Sequence, residues 1–140
     1  MTDPANIRQV RLRWTGSGLV FQGGPDGGPV ATLDSDAKEG LSSTHYLLFA
    51  LAGCMAVDVK MILEKSRVPL ESIEVNAEGE RAETPPRKFT RIRLTYEVRG
   101  PTEEHEKKLQ HAIDLSREKY CSVMHSLDPA IEIDIRVRRV

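Results

Sequence analysis

A chain of 140 residues with 39% hydrophobic and 29% charged side chains is long enough to bury a sizeable core, so it needs no disulfide or metal staple to fold. A formal net charge of −1 excludes a global field drawing in nucleic acid or acidic membranes, and 5% aromatic residues provide no stacking platform for single strands. Neither nucleic acid nor membrane is therefore expected as a partner. The opening MTDPANIRQVRLRW lacks the apolar core of a signal peptide, so a cytoplasmic location is expected, where a lone cysteine pair is reduced or catalytic rather than structural.

Residues 7–33 predict short strands. IRQVRLRW sets Ile7, Val10 and Leu12 among basic residues, and GLVFQGGPDGGPVATL reads as strand, Gly/Pro turn, strand. The GGPDGG stretch invites a phosphate-loop reading, but no Gly-Lys-Ser/Thr follows and no helical pattern opens after it, so a hairpin turn is expected. DSDAKEG reads as a polar loop. LSSTHYLLFALAGCMAVDVKMILEKSR then predicts a long helix capped by Ser42 or Ser43. Its first half has no polar face and is expected to be buried all round, while the apolar run Tyr46–Val57 is too short to span a bilayer. Gly53 in the helix interior suggests a close-packed neighbour beside Cys54.

The next segment, PLESIEVNAEGERAE, puts Ile73, Val75 and Ala77 on one strand face. TRIRLTYEV alternates Ile92, Leu94, Tyr96 and Val98 with Arg91, Arg93, Thr95 and Glu97. Gly100-Pro101 ends that strand, Thr102 can cap, and an amphipathic helix follows with Leu109, Ala112, Ile113 and Ser116 inward. YCSVMHSL reads as a short helix or turn, and AIEIDIRVRRV as a closing strand with Ile131, Ile133, Ile135 and Val137 inward. The order predicts an α+β chain, residues 1–140 as one domain, with antiparallel sheets wrapped around a long buried central helix.

The two cysteines are the candidates for chemistry. Cys54 sits in the most hydrophobic segment, Cys121 among Arg117, Lys119 and Tyr120. A thiolate, not a thiol, attacks peroxides and disulfides, and it needs a nearby cation or helix N-terminus. Cys54, mid-helix, gains little from the dipole, whereas Cys121 follows two cations and can open a short helix. Cys54 is either core filler or one half of a redox pair. A zinc set of Cys54, Cys121, His45 and His125 does not match finger or ribbon spacing, so neither metal nor cofactor is expected. Asp58, one turn after Cys54, can accept a hydrogen bond near the site, but it is expected to face a polar partner or solvent. His105 and His111 are expected on a solvated helix face, and Arg136, Arg138 and Arg139 on a solubilising strand face.

Three stretches, LLFALAGCMAVDV, PPRKFTRIRLTYEVRG and AIDLSREKYCSVMHSL, together with the element order, resemble the osmotically inducible protein C and organic hydroperoxide resistance (OsmC/Ohr) family, in the branch with EKYCS at the second thiol. The resemblance covers essentially the whole chain. It implies an intertwined homodimer with active sites at the interface. It further implies a bacterial cysteine peroxidase for organic hydroperoxides that serves oxidative or osmotic stress defence. Cys54 matches the peroxidatic thiol and Cys121 the resolving thiol, with a dithiol or lipoyl-type reductant closing the cycle. The family also uses a Glu ten residues before the first cysteine and an Arg from the N-terminal strands. Here that position is Thr44, followed by His45, and no basic residue lies between Arg13 and Lys38. His45, Arg87 or Lys88 is the expected substitute cation. The alternative is a non-catalytic stress module that binds a hydrophobic small molecule in the same pocket.

Overall fold

The computed structural model describes residues 2–140 and resolves two compact units, residues 1–47 and 48–140. In the first unit, β1 (Arg11–Trp14), β2 (Val20–Gly24) and β3 (Ala31–Asp34) form an antiparallel sheet in sequence order. Gly16 and Gly18 adopt φ of +91° and +51° in the β1–β2 turn, a region L side chains avoid, and the Gly18 carbonyl accepts from Trp14 Nε1 at 3.0 Å. GGPDGG closes the β2–β3 hairpin as expected, with Asp26 paired to Arg11 at 3.2 Å. Among the described residues of this unit only Val20 and Asp34 are buried, while Val10 and Val30 are 70% and 73% exposed.

The loop after β3 is more organised than its polar composition implies. Asp34 is 3% exposed, and its carboxylate accepts the backbone N–H of Asp36 at 2.9 Å, Lys38 at 3.2 Å and Glu39 at 3.0 Å. These N–H donors, that of Glu39 foremost, hold the Asp34 carboxyl below its ordinary 3.8.

A long helix, α1 (Ser43–Lys65), starts where Ser42 Oγ accepts the His45 N–H, and it runs on into the second unit. There β4 (Ser72–Arg81), β5 (Phe89–Arg99) and β6 (Glu132–Arg139) form a sheet in that order. The β5 alternation is as read: Ile92, Leu94, Tyr96 and Val98 are fully buried. The crossover from β5 carries α2 (Glu106–Leu115), a π-helical turn (Ser116–Tyr120) and α3 (Ser122–His125). Leu109, Ala112, Ile113 and Ser116 are its buried stripe, as expected.

The expectation of antiparallel pairing holds for every pair except β5 with β6, which run parallel. The helical crossover returns the chain to the same end of the sheet, the usual route to a parallel neighbour. On the outer face Arg91 meets Glu132, Arg93 meets Asp134 and Arg138 meets Glu97, each pair directly opposite in register. Of the last strand's arginines, Arg138 thus pairs across the strands, while Arg136 pairs with Asp134 of its own strand and Arg139 with Glu106 of α2. His105 is also not solvated: its Nδ1 accepts the Thr102 N–H at 2.9 Å and caps the helix start.

The first half of α1 is not buried all round, since Phe49, Ala50 and Gly53 are exposed, and the exposed apolar side continues into the second half. Leu51, Met55, Val59 and Leu63, at i, i+4 spacing, are fully buried, but Phe49, Val57 and Met61 are 67%, 57% and 50% exposed. One sheet can cover only one face of a helix. Nothing lies within 4 Å of where a Cβ on Gly53 would sit, so no close neighbour explains that glycine within the chain. By length and composition alone α1 meets the requirement for crossing a bilayer, which corrects the shorter span Tyr46–Val57. Its fully buried stripe makes it the core helix of this unit.

Asp34→Ala is expected to lower the melting temperature at neutral pH. A depressed carboxyl pKa stabilises the fold above the unfolded value and loses that contribution as pH falls through the folded one. The gap between wild type and variant should therefore close on acidification below about pH 4, and a gap independent of pH would refute the assignment. Gly79→Ala is expected to cost about 1–3 kcal/mol in denaturant titration, because a Cβ there would overlap the Phe89 ring and press on Leu48.

Candidate active site

Helical periodicity sets the first half of the site. Residues four apart share a helix face, so Cys54 and Asp58 point the same way from α1. Each directly precedes a fully buried residue, Met55 or Val59, and each is half-buried. The second half comes from the crossover. In the π-helical turn the Cys121 N–H donates to the Ser116 carbonyl at 2.8 Å, five residues back, and Cys121 then caps α3 by accepting the Met124 N–H on its sulfur at 3.3 Å. Ser116 Oγ donates to Asp58 Oδ2 at 2.9 Å and ties the two halves together.

The result is a cluster in which Cys54 Sγ, Cys121 Sγ and an Asp58 carboxylate oxygen all lie within 4.8 Å of one another. The two sulfurs are not bonded to each other. A disulfide of ~2.05 Å would require the two sulfurs to close the rest of that distance. Cys54 is half-exposed, whereas Cys121 is fully buried. Tyr96 of β5 is fully buried too, and its hydroxyl has no hydrogen-bond partner.

Electrostatics separate the two thiols. Burial pushes Cys121 up to about 11; Cys54 and Asp58 add to the rise, and the Met124 N–H opposes it. Burial likewise holds the Tyr96 phenol well above its ordinary range, with Cys121, Asp58 and Cys54 reinforcing the shift. This corrects the expectation that Cys121 benefits from its flanking cations. Arg117 instead donates to the Ile133 carbonyl at 3.2 Å, and Lys119 sits 5.3 Å from the centre of the Tyr120 ring. Desolvation therefore outweighs charge at this thiol.

The two cysteines thus come together, and neither histidine of the considered zinc set joins them. His45 Nδ1 is engaged by Ser42 Oγ at 2.7 Å, and His125 is exposed at the end of α3. Arg87 and Lys88 are exposed in the turn between β4 and β5. Two members of the surroundings escaped the sequence reading: Ser116 as the hydrogen-bond donor to Asp58, and Tyr96 as a buried phenol; Asp58 does have the polar partner that its place one turn after Cys54 suggests. The available signal was polarity out of place. Ser116 occupies an apolar helix stripe, and Tyr96 an apolar strand face.

Replacing Ser116 by Ala tests how the cluster is held. A hydrogen bond to a charged acceptor is worth about 1.5–3 kcal/mol, and a loss of that size is expected in denaturant titration. A loss near zero would mean that the Ser116–Asp58 bond does not join the crossover to α1.

Comparison with known proteins places this geometry. Residues 35–136 match the family model described as OsmC-like protein. Protein YhfA of Escherichia coli K12 is 37% identical over 126 residues, covering 89% of this chain and 92% of that one. The crystal structure of a hypothetical protein from Aquifex aeolicus VF5 superposes with a TM-score of 0.84 at 29% identity, covering 96% and 97% of the two chains. The organic hydroperoxide resistance protein OhrB of Bacillus subtilis shares the fold, with a TM-score of 0.63 at 14% identity over 96% and 99% of the chains.

Proposed function

Because the chain belongs to the OsmC-like protein family, we propose that it reduces organic hydroperoxides through Cys54 and Cys121. The observation that carries this reading is the approach of the two sulfurs to within 4.8 Å, one half-exposed and one buried. The Cys54 thiolate attacks the outer peroxide oxygen, the O–O bond breaks, and the alkoxide leaves as an alcohol after taking a proton. Cys54 is now a sulfenic acid. The Cys121 sulfur attacks the Cys54 sulfur, the S–O bond breaks, water leaves, and a disulfide forms. A dithiol or lipoyl-type reductant returns both thiols by exchange and is itself oxidised to a disulfide.

The assignment of roles follows exposure. A substrate reaches the half-exposed Cys54 first. Cys121, held protonated by burial, reacts only with a partner already beside it. Asp58 is an anion next to the reacting thiol, so a cation is required. His45 at the head of α1, Arg87 or Lys88 would supply it, from this chain or from a second copy. A homodimer is part of the proposal, with the active sites at its interface. The exposed apolar side of α1 at Val57 and Met61, and the open space at Gly53, support a second copy covering that face. An apolar cover would favour a hydroperoxide with a greasy tail, including one derived from a lipid. Residues 1–140 would then act as one functional domain, in the cytoplasm, in oxidative or osmotic stress defence.

Intact mass decides the chemistry. After one equivalent of cumene hydroperoxide the reduced wild type should lose two hydrogens. Cys121→Ser should gain one oxygen, trapped as the sulfenic acid, and Cys54→Ser should stay unchanged. If the wild-type mass does not move, the thiols are not a peroxidatic pair, and a non-catalytic module binding a hydrophobic small molecule becomes the better reading.

A further inference from the structure

The groups gathered at the head of the crossover are all acids. Two thiols and a carboxylate present their donor atoms within 4.8 Å of one another, and the phenol of Tyr96 is coupled electrostatically to all three. A set of soft sulfurs with one carboxylate oxygen is well matched to a small thiophilic divalent cation. Tetrahedral zinc sites have Zn–S of about 2.3 Å and Zn–O of about 2.0–2.2 Å, which puts their ligand atoms roughly 3.5–3.8 Å apart. The cluster needs to contract by only about 1 Å to reach that spacing.

An independent observation points the same way. The Tyr96 hydroxyl is fully buried and lacks a partner, which is costly for a phenol in an apolar core. A water in the fourth position of a metal at this cluster would give it one.

We propose that the reduced protein binds one thiophilic divalent cation of the zinc type through Cys54 Sγ, Cys121 Sγ and an Asp58 carboxylate oxygen. Binding converts both thiols to thiolates and releases two protons to solvent, so a dication, two thiolates and a carboxylate leave the site with a net charge of −1. Ser116, donating to Asp58 Oδ2, acts as a positioning residue that orients the carboxylate. This donor set differs from the histidine-containing one considered from the sequence, because helix phase and the π-helical turn substitute Asp58 for His45 and His125. The metal and the disulfide are alternative occupants of the same two sulfurs. Metal binding needs only the three donor atoms together, so it stands or falls apart from any reaction with peroxide.

Cobalt(II) is the probe, added to reduced, chelator-stripped, full-length protein. One equivalent per chain is expected to produce a thiolate-to-cobalt charge-transfer band, which zinc(II) then abolishes by displacement. Zinc should also protect the half-buried Cys54 from iodoacetamide in the wild type, a readout that needs no variant. Cys121→Ser should lose the band, Asp58→Asn should weaken zinc at least about tenfold against a chromophoric chelator, and His125→Ala should leave affinity unchanged. Circular dichroism melts of each variant confirm that it is folded. Absence of the band together with an unprotected Cys54 in the wild type would overturn the proposal. So would binding that survives Cys121→Ser, or that is lost in His125→Ala.

Discussion

Everything chemical in this chain depends on the rotational setting of α1. The stripe Leu51, Met55, Val59 and Leu63 is sealed from water, and each such side chain contributes roughly 1.5–3 kcal/mol by leaving it. Turning the helix would expose that stripe, so its phase is fixed. Cys54 and Asp58 ride one residue ahead of Met55 and Val59 and are delivered to the rim of the buried face with no local device of their own. The opposing elements meet them there. Ser116 fastens to Asp58, the Cys121 sulfur stands near Cys54 and Asp58, and the buried Tyr96 phenol feels the charge of all three acids.

Much of this architecture was legible in the sequence because period and burial agreed. The alternation in TRIRLTYEV put Ile92 to Val98 inside, and the stripe of the second amphipathic helix was read residue by residue. Part of the illegible remainder traces to what hydrophobicity leaves open. Hydrophobicity says that a surface will be covered but not by what. The apolar face of α1 that carries Phe49, Val57 and Met61 looked like a fully buried helix for that reason, and Gly53 looked crowded. Pairing direction was hidden as well, since β6 carries the same alternation whether it runs parallel or antiparallel.

The candidate site was half visible. A cysteine inside an apolar helix and a second one in EKYCS could be singled out, and they do converge. Their environment could not be weighed. Arg117 and Lys119 flank Cys121 in sequence, yet their side chains spend themselves on the Ile133 carbonyl and the Tyr120 ring. Nearness along the chain overstated their influence, and burial reversed the sign. Asp58 and Ser116 are 58 positions apart, a separation at which only the folded chain can reveal a hydrogen bond.

The π-helical turn Ser116–Tyr120 works as a phase adjuster. A turn of this kind holds one more residue than an α-helical turn, which rotates the chain beyond it by roughly 100° relative to an uninterrupted helix. Ser116 closes the inward stripe of α2, and the inserted residue lets the sulfur five positions later also face inward, where regular helix would have swung it aside. The placement of the second thiol is therefore stored in the length of a backbone loop rather than in any side chain. Chains of this design would tolerate many substitutions at Arg117, Glu118 and Lys119 but not the loss of a single residue there. Deletion would leave every chemical group present and the pair of sulfurs out of step.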